Sequence, residues 1–501
     1  MGFGNALSAM LTGVQAHIVT VETTVGAGLP GMHIVGLADV AIAESRERIR
    51  AAVAHARLPW PKTKIVVSLS PAGLRKSGSH FDLAIAMSVV AADMRDPALR
   101  QRMRDTLFFG ELGLDGRLRA VEGLLPVLLA AREAQITTVI IPEGNAAEAA
   151  LVDCPRVLVA RSLAEVFAWV QDIDGLHPPT AGPAASPQPV PDMADVAGQT
   201  AAKHAVEVAA AGGHHLMMLG PPGSGKSMLA ARLPGILPPL DDAQVIAVTA
   251  VHSVAGNAVS LPVRRAPFVA PHHSVTRAAL LGGGAGNPKP GAVSLAHHGV
   301  LFLDEVSEIP AGVLDCLRTP LEAGCVRLVR SRRDVCFPAQ FQLLLAANPC
   351  GCGAEQPHQC RCSATRRMRY LSNVSGPLRD RLDVFVHTQA TGAVLRDNAE
   401  ASATIAERVA AARERALARF GCVNGQMGSH TIRRDYPADD DAMALLAAHL
   451  RVGDISQRGV DRALKVAWTL CDLQAGTRPN LDHVARALEF REGLSLEYRE
   501  G

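Results

Sequence analysis

Apolar and polar positions change period several times along the chain, and each change predicts an element. His17-Ile-Val-Thr-Val-Glu22 and Lys64-Ile-Val-Val-Ser-Leu69 are short β-branched runs that predict strands. Between them, Val40 to His55 places apolar residues at helical spacing, and Phe81 to Ala92 predicts a second helix. Gly110-Glu111-Leu112 through Gly116 predicts a strand turning through a glycine. A helix from Leu124 to Glu133 and a strand from Thr137 to Pro142 follow. Strands alternating with helices over residues 1–172 predict an α/β block. Residues 173–192 break the pattern with Pro178, Pro179, Pro183, Pro187, Pro189 and Pro191, which predicts an extended linker.

After a helix from Thr200 to Ala211 comes the stretch around which the chain is organised. The apolar run Leu216 to Leu219 enters Gly220-Pro221-Pro222-Gly223-Ser224-Gly225-Lys226-Ser227, and helix-forming residues Met228 to Arg232 follow. Strand, glycine-rich loop and helix in that order are the context a phosphate loop needs. The glycines let backbone N–H groups converge on a phosphate, and the helix adds its positive dipole end. Lys226 is placed for the β- and γ-phosphates of ATP, and Ser227 for Mg²⁺. A second buried-strand pattern, Gly299 to Leu303, ends in Asp304-Glu305. Asp304 suits the Mg²⁺-holding carboxylate and Glu305 the polarisation of the attacking water. A third, Phe341 to Ala347, ends in Asn348, which a parallel sheet would set between the other two tips to orient that water.

Residues 240–298 read as a long insertion, with glycine and proline concentrated from Pro267 to Gly291, and predict a mobile, substrate-facing loop. His272-His273 and His297-His298 lack ligand spacing, which disfavours a metal there. Cys350, Cys352, Cys360 and Cys362 are different: four thiols so close together can close a tetrahedral Zn²⁺ site within an insertion over residues 350–362. Val326 to Val335 predicts a β-hairpin with Arg330, Arg332 and Arg333 near its tip, and Arg361, Arg366, Arg367 and Arg369 form a second basic cluster. Net charge is only +2, so any nucleic-acid surface must be local. Unpatterned cysteines and the lack of a secretion signal or membrane-length apolar run point to a cytoplasmic protein.

Two resemblances extend this reading. The order from Gly110-Glu111-Leu112 through the leucine-rich helix to Val139-Ile-Ile-Pro142 is similar to the protease domain of the Lon family. Yet Gly123-Leu124-Leu125-Pro126-Val127 lacks the lysine that chemistry needs, and Lys76-Ser77-Gly78-Ser79-His80 offers a serine with no visible base. The block is therefore read as proteolytically silent.

The second resemblance rests on four strings. They are Arg265-Ala-Pro-Phe-Val-Ala-Pro-His-His-Ser274, the run into Leu303-Asp304-Glu305, Ala347-Asn-Pro-Cys-Gly-Cys-Gly353, and Ser375-Gly-Pro-Leu-Arg-Asp-Arg-Leu-Asp383. Together they closely resemble the magnesium-chelatase-subunit-like AAA+ family. The resemblance implies a ring-forming, hexameric ATPase that moves on single-stranded or branched DNA and drives branch migration as incoming DNA is integrated. It makes Asn348 the γ-phosphate sensor, and Arg381 (alternatively Arg379) the arginine finger reaching a neighbouring subunit. Arg458 becomes the second sensor, closing a helical lid on the γ-phosphate. In several AAA+ motors a hairpin at the position of Arg330 to Arg333 enters the central pore, where these arginines would meet DNA phosphates.

The expected fold is α/β throughout. A Lon-protease-like domain occupies 1–172, a doubly wound AAA+ core 193–394, and a helical lid 395–501. A DNA-translocating ring competes with a chelatase-type protein-remodelling motor and with an ATP-dependent protease, which the missing lysine disfavours.

Overall fold

The structure is a computed structural model. It describes all residues except 1, 36–39, 74–75, 154–155, 181–189, 258–261, 285–286, 331–332, 355–358, 390–399 and 493–501. Arg332, most of the proline-rich linker and the expected start of the lid at 395 thus lie outside the described residues.

Two sheets dominate. The first holds β1 (Gly2–Thr12), β2 (Gln15–Gly26), β3 (Gly31–Val35), β4 (Lys64–Ser70), β5 (Thr106–Phe108), β6 (Thr138–Pro142) and β7 (Val157–Ala160) in the order β3-β4-β2-β1-β5-β6-β7. Its longest pairing is an antiparallel hairpin, Gly2 opposite Val25 to Thr12 opposite Gln15. The N-terminal strand is an element the periodicity did not predict, because three small or polar residues (Gly2, Gly4 and Asn5) open it. Those glycines are needed: a Cβ on Gly4 would lie 2.3 Å from Ala92 N, so helix α2 (Asp82–Asp93) packs directly on the strand backbone. Helix α1 (Val40–His55) stands where its periodicity predicts, as does α3 (Leu124–Glu133). The predicted strand from Gly110 to Gly116 is instead a minimal ladder, Glu111–Leu112 against Leu118–Arg119, outside the large sheet.

The second sheet is parallel throughout. Helix α4 (Thr200–Gly212) leads to β8 (Leu216–Leu219), and helices α5 (Lys226–Ile236) and α6 (Asp242–Ala255) follow. Next come β9 (Phe268–Val269), β10 (Val300–Leu303), the hairpin β11 (Cys325–Arg330) and β12 (Arg333–Pro338), β13 (Gln342–Ala347), helix α7 (Ala364–Leu371) and β14 (Val384–His387). The sheet order is β9-β10-β13-β8-β14. Side chains alternate between two apolar clusters: Leu216, Met218, Phe302 and Leu344 face one, and Met217, Leu219, Leu303 and Leu345 the other. The first cluster continues into the C-terminal helices α8 (Ser402–Phe420), α9 (Asp440–Val452), α10 (Gln457–Leu473) and α11 (Leu481–Glu492). Lid and core therefore share one apolar interior.

The stretch 240–298 is not the loop its glycines and prolines predict. A capping box at Asp241 and Gln244 starts α6. Ile246 and Ala250 of α6 pack against the α3 side of the first sheet, and Gly123 N donates to Ser253 Oγ at 3.0 Å. β9 is a strand of the central sheet. The hairpin base also bridges the two halves, because Val335 and Phe337 pack with Val254 and with Val14 of the β1–β2 turn.

Candidate nucleotide-binding site

Parallel pairing brings three strand ends to one edge. Leu219 pairs with Ala347 and Leu303 with Leu345, so Gly220, Asn348 and Asp304-Glu305 emerge together, with the β13 tip between the other two. The loop needs its glycines. A Cβ on Gly220 would lie 2.0 Å from Thr388 Oγ1, and Gly223 and Gly225 hold left-handed φ values of 74° and 85°. Pro221 and Pro222 stiffen its entry, and buried Ser224 bonds Thr388 Oγ1 at 2.6 Å.

Lys226 heads α5 and is buried. Its ammonium donates to Gly220 O at 2.6 Å, Pro221 O at 2.8 Å and Asn348 Oδ1 at 3.1 Å. Burial lowers the Lys226 ammonium below its ordinary value, and the Asp304 and Glu305 carboxylates draw it partly back. Ser227 Oγ donates to Asp304 Oδ2 at 2.5 Å. A hydroxyl and a carboxylate oxygen this close form a pair that fits Mg²⁺, with Asp304 supplying the charge. The loop around them, with its backbone N–H groups at a helix start, fits the phosphates of ATP. Glu305 is exposed and left-handed (φ 48°), an uncommon conformation for a residue with a Cβ.

Sequence reasoning missed the partner of Glu305. His273, beyond the tip of β9, sets its Nδ1 3.0 Å from Glu305 Oε2. The two histidine pairs are therefore unrelated in space. His272 and His273 follow the C-terminal end of β9, whereas His297 and His298 precede the N-terminal end of the parallel β10, where His297 Nδ1 accepts from Gln340 N. The motif Pro271-His272-His273-Ser274, following an apolar pair, was the available signal.

Arg381 and Arg458 line one small cleft together. Arg381 is buried, donating to Pro377 O at 2.6 Å and pairing with Glu322. Arg458 is exposed and lines the same small cleft with Asp380, Asp461, Arg462 and Lys465. None of the phosphate-loop residues lines that cleft. The physical reason is the path of α10, whose first turns lie beside the segment after α7 rather than over β8. Arg462 of α10 holds the Arg381 carbonyl at 2.9 Å and pairs with Asp383, while Arg491 of α11 reaches Leu382 O. Asp383 also accepts from buried His214 at 3.3 Å, and its carboxyl lies well below the usual range despite burial, held there by Arg462 and His214.

Cys350, Cys352, Cys360 and Cys362 bring their Sγ atoms within 4.8 Å of one another, with pairs at 3.0, 3.4 and 3.7 Å. Thiolates about 2.3 Å from one Zn²⁺ would lie about 3.8 Å apart, so the set fits that ion. The hairpin register opposes Arg330 to Arg333 across its end. In the N-terminal half, Ser79 Oγ donates to Glu111, a carboxylate partner the sequence did not reveal, because the two are far apart along the chain. Lys76 is buried and spends its ammonium on Pro71 O.

A parallel sheet with a phosphate loop at one tip, paired acids at a second and an amide between them defines an AAA+ core with a helical C-terminal part. Comparison with known proteins narrows this. The family described as Magnesium chelatase, subunit ChlI, matches residues 192–394, its C-terminal part matches 399–491, and a further ChlI segment matches 21–145. The chain is 39% identical to competence protein ComM of Haemophilus influenzae over 97% of this chain and 96% of that protein. It is 37% identical to YifB of Escherichia coli over 96% and 95%. Lon protease 1 of Syntrophobacter fumaroxidans is 28% identical over 34% of this chain and 21% of that protein. The chain belongs to the magnesium-chelatase-like ComM family. Among the described residues no helix is long and apolar enough to cross a membrane.

Proposed function

We propose that this protein is an ATPase whose turnover drives movement on single-stranded or branched DNA, promoting branch migration as incoming DNA is recombined. The observation that carries the ATPase reading is the convergence of Lys226, Asn348, the Ser227–Asp304 pair and Glu305 at one sheet edge. Lys226 and the loop amides bind the phosphates, and Glu305 draws a proton from the attacking water. Mg²⁺ held by Ser227 and Asp304 would neutralise charge on the transferring phosphoryl group.

In this reading Arg381 and Arg458 act on a neighbouring subunit's nucleotide in a homo-oligomeric ring, a hexamer. Their shared cleft, away from the chain's own phosphate loop, supports action in trans. DNA as the track is supported by the arginine-ended hairpin and by the word competence in the name of the Haemophilus relative. The domain at 1–172 serves assembly rather than proteolysis: Ser79 gives its proton to a carboxylate, and among the described residues no hydrogen bond joins it to an imidazole or a lysine. The location is cytoplasmic, where the four thiols remain reduced and hold Zn²⁺.

The test is ATP turnover with and without single-stranded and branched DNA, in wild type and Glu305→Gln. The expected result is DNA-stimulated turnover in wild type, and ATP binding without turnover in Glu305→Gln. Near wild-type hydrolysis by Glu305→Gln would overturn the site. Turnover indifferent to DNA would favour the rival reading that the chelatase family name suggests, a protein-remodelling motor. Purified without chelators, the protein should carry about one zinc per chain by elemental analysis; a zinc-free preparation with intact thiols would remove the metal from the picture.

A further inference from the structure

Helix α7 follows the cysteine cluster and presents Arg366, Arg367 and Arg369, with Arg361 just before it, all exposed. From Gln359 to Ser375 there is no Asp or Glu. None of the four arginines makes a side-chain ion pair among the described residues. Arg366 and Arg369, three residues apart, share one face of the helix, and Arg367 lies about 100° around it. Like charges so placed repel, and no carboxylate in the described structure relieves them.

The C-terminal end of α7 is built into the nucleotide site. Leu371 is buried in the cluster beneath β10 and β13. Tyr370 stands near enough to the Glu308 carboxylate and the Asn348 amide for its hydroxyl to feel both. The Cys350–Cys352 loop covers the same ring, since a Cβ on Gly351 would come 3.3 Å from it. Asn348 already gives its Oδ1 to Lys226 at 3.1 Å, which leaves its amide N–H₂ available toward Tyr370. Burial and Glu308 push the Tyr370 hydroxyl up to about 12, keeping it a donor at neutral pH.

We propose that α7 is a docking surface for the phosphate backbone of DNA, and that Tyr370 transmits its occupancy to the nucleotide site through Asn348. This deepens the DNA-driven reading above and rests on it. The chemistry selects phosphate, because every cation is an arginine, whose planar fork matches phosphate oxygens two at a time. Met368 is exposed on α7, and the helix's one aromatic, Tyr370, is half-buried against the Cys350–Cys352 loop rather than open to stack a base, so binding is independent of sequence. Tyr370 is a positioning residue. A shift of α7 by about 1 Å on docking would bring the Tyr370 hydroxyl into or out of hydrogen-bond reach of the Asn348 amide, and so turn the Asn348 oxygen toward or away from Lys226.

The experiment uses the full-length protein with a labelled single-stranded oligonucleotide. Arg366→Ala/Arg367→Ala/Arg369→Ala should weaken DNA binding at least about tenfold and lower the slope of log affinity against log salt by about 2, at about 0.7 for each phosphate no longer neutralised. The matching triple lysine variant, which keeps the charge but not the planar fork, should recover only part of the affinity. Tyr370→Phe should bind DNA within about twofold of wild type and keep KM for ATP, yet lose most of the DNA stimulation of kcat. Wild type that binds no DNA would overturn both this inference and the reading beneath it. Wild type that binds, with an alanine triple that binds equally, would overturn this inference alone. So would an alanine triple whose loss traces to failed ring assembly in sedimentation, which would assign the surface to a neighbouring subunit. Full DNA stimulation in Tyr370→Phe would remove Tyr370 from the route.

Discussion

Glu305 occupies a left-handed conformation that costs a residue with a side chain about 1–2 kcal/mol, and the fold sustains it at the tip of β10. The direction in which its carboxylate is held follows from sheet order. β9 lies on the side of β10 away from β13 and β8, so a bond to His273 beyond β9 draws the carboxylate away from the phosphate loop. His273 is therefore expected to restrain Glu305 in the resting protein. His273→Ala is expected to raise basal ATP turnover by up to about tenfold, roughly the free energy of one hydrogen bond to a charged group, with ATP affinity unchanged. Steady-state kinetics without DNA decides it, and a fall in kcat would show that His273 instead holds Glu305 in its working position.

At the scale of elements, the β11–β12 hairpin has an apolar base and a basic end. Phe337 and Val335 are buried against Val254 and Val14, so the base is anchored to both halves of the molecule. The end carries Arg330 opposite Arg333. Such a lever can present cations to a polyanion without disturbing the strand tips that face nucleotide. Arg330→Ala/Arg332→Ala/Arg333→Ala should weaken DNA binding equally across sequences, flatten its salt dependence by about 0.7 for each phosphate released, and reduce DNA-stimulated turnover. Titrations at several salt concentrations on two unrelated oligonucleotides provide the check, and an unchanged slope would take the hairpin off the DNA path.

At the scale of the whole molecule, the segment Arg381 to Asp383 is clamped by lid arginines Arg462 and Arg491. A change in lid position must therefore move the Arg381 backbone, which links the C-terminal helices to whatever Arg381 touches. In a ring, Arg381 would have to leave Glu322 for a neighbour's phosphate, exchanging one anion for another rather than emerging unpaired. Mixing Arg381→Ala with Lys226→Ala subunits, each inactive alone, should restore part of the turnover, because some interfaces then join an intact loop to an intact arginine. A titration of mixing ratios with no recovery would place the function of Arg381 within its own chain.

Much of the fold was legible because strands and helices carry their period locally. The runs ending at Leu219, Leu303 and Ala347 announce buried parallel strands, and the loop from Gly220 to Ser227 encodes its shape in contiguous residues. Residues 240–298 were misread for a local reason too: glycine and proline cluster from Pro267 to Gly291, while the capping box that starts α6 is only two side chains.

The sequence by itself determined the phosphate loop, the acids and amide that end the neighbouring strands, and the close spacing of four cysteines, since each depends on residues near one another in the chain. Only the tertiary structure decided that His273 meets Glu305, that Tyr370 meets Asn348, that Glu111 faces Ser79, and that Arg458 keeps company with Arg381. Those meetings depend on strand order, on the path of α10 and on which way each side chain turns. These are properties of the packed molecule, and no local spacing along the chain records them.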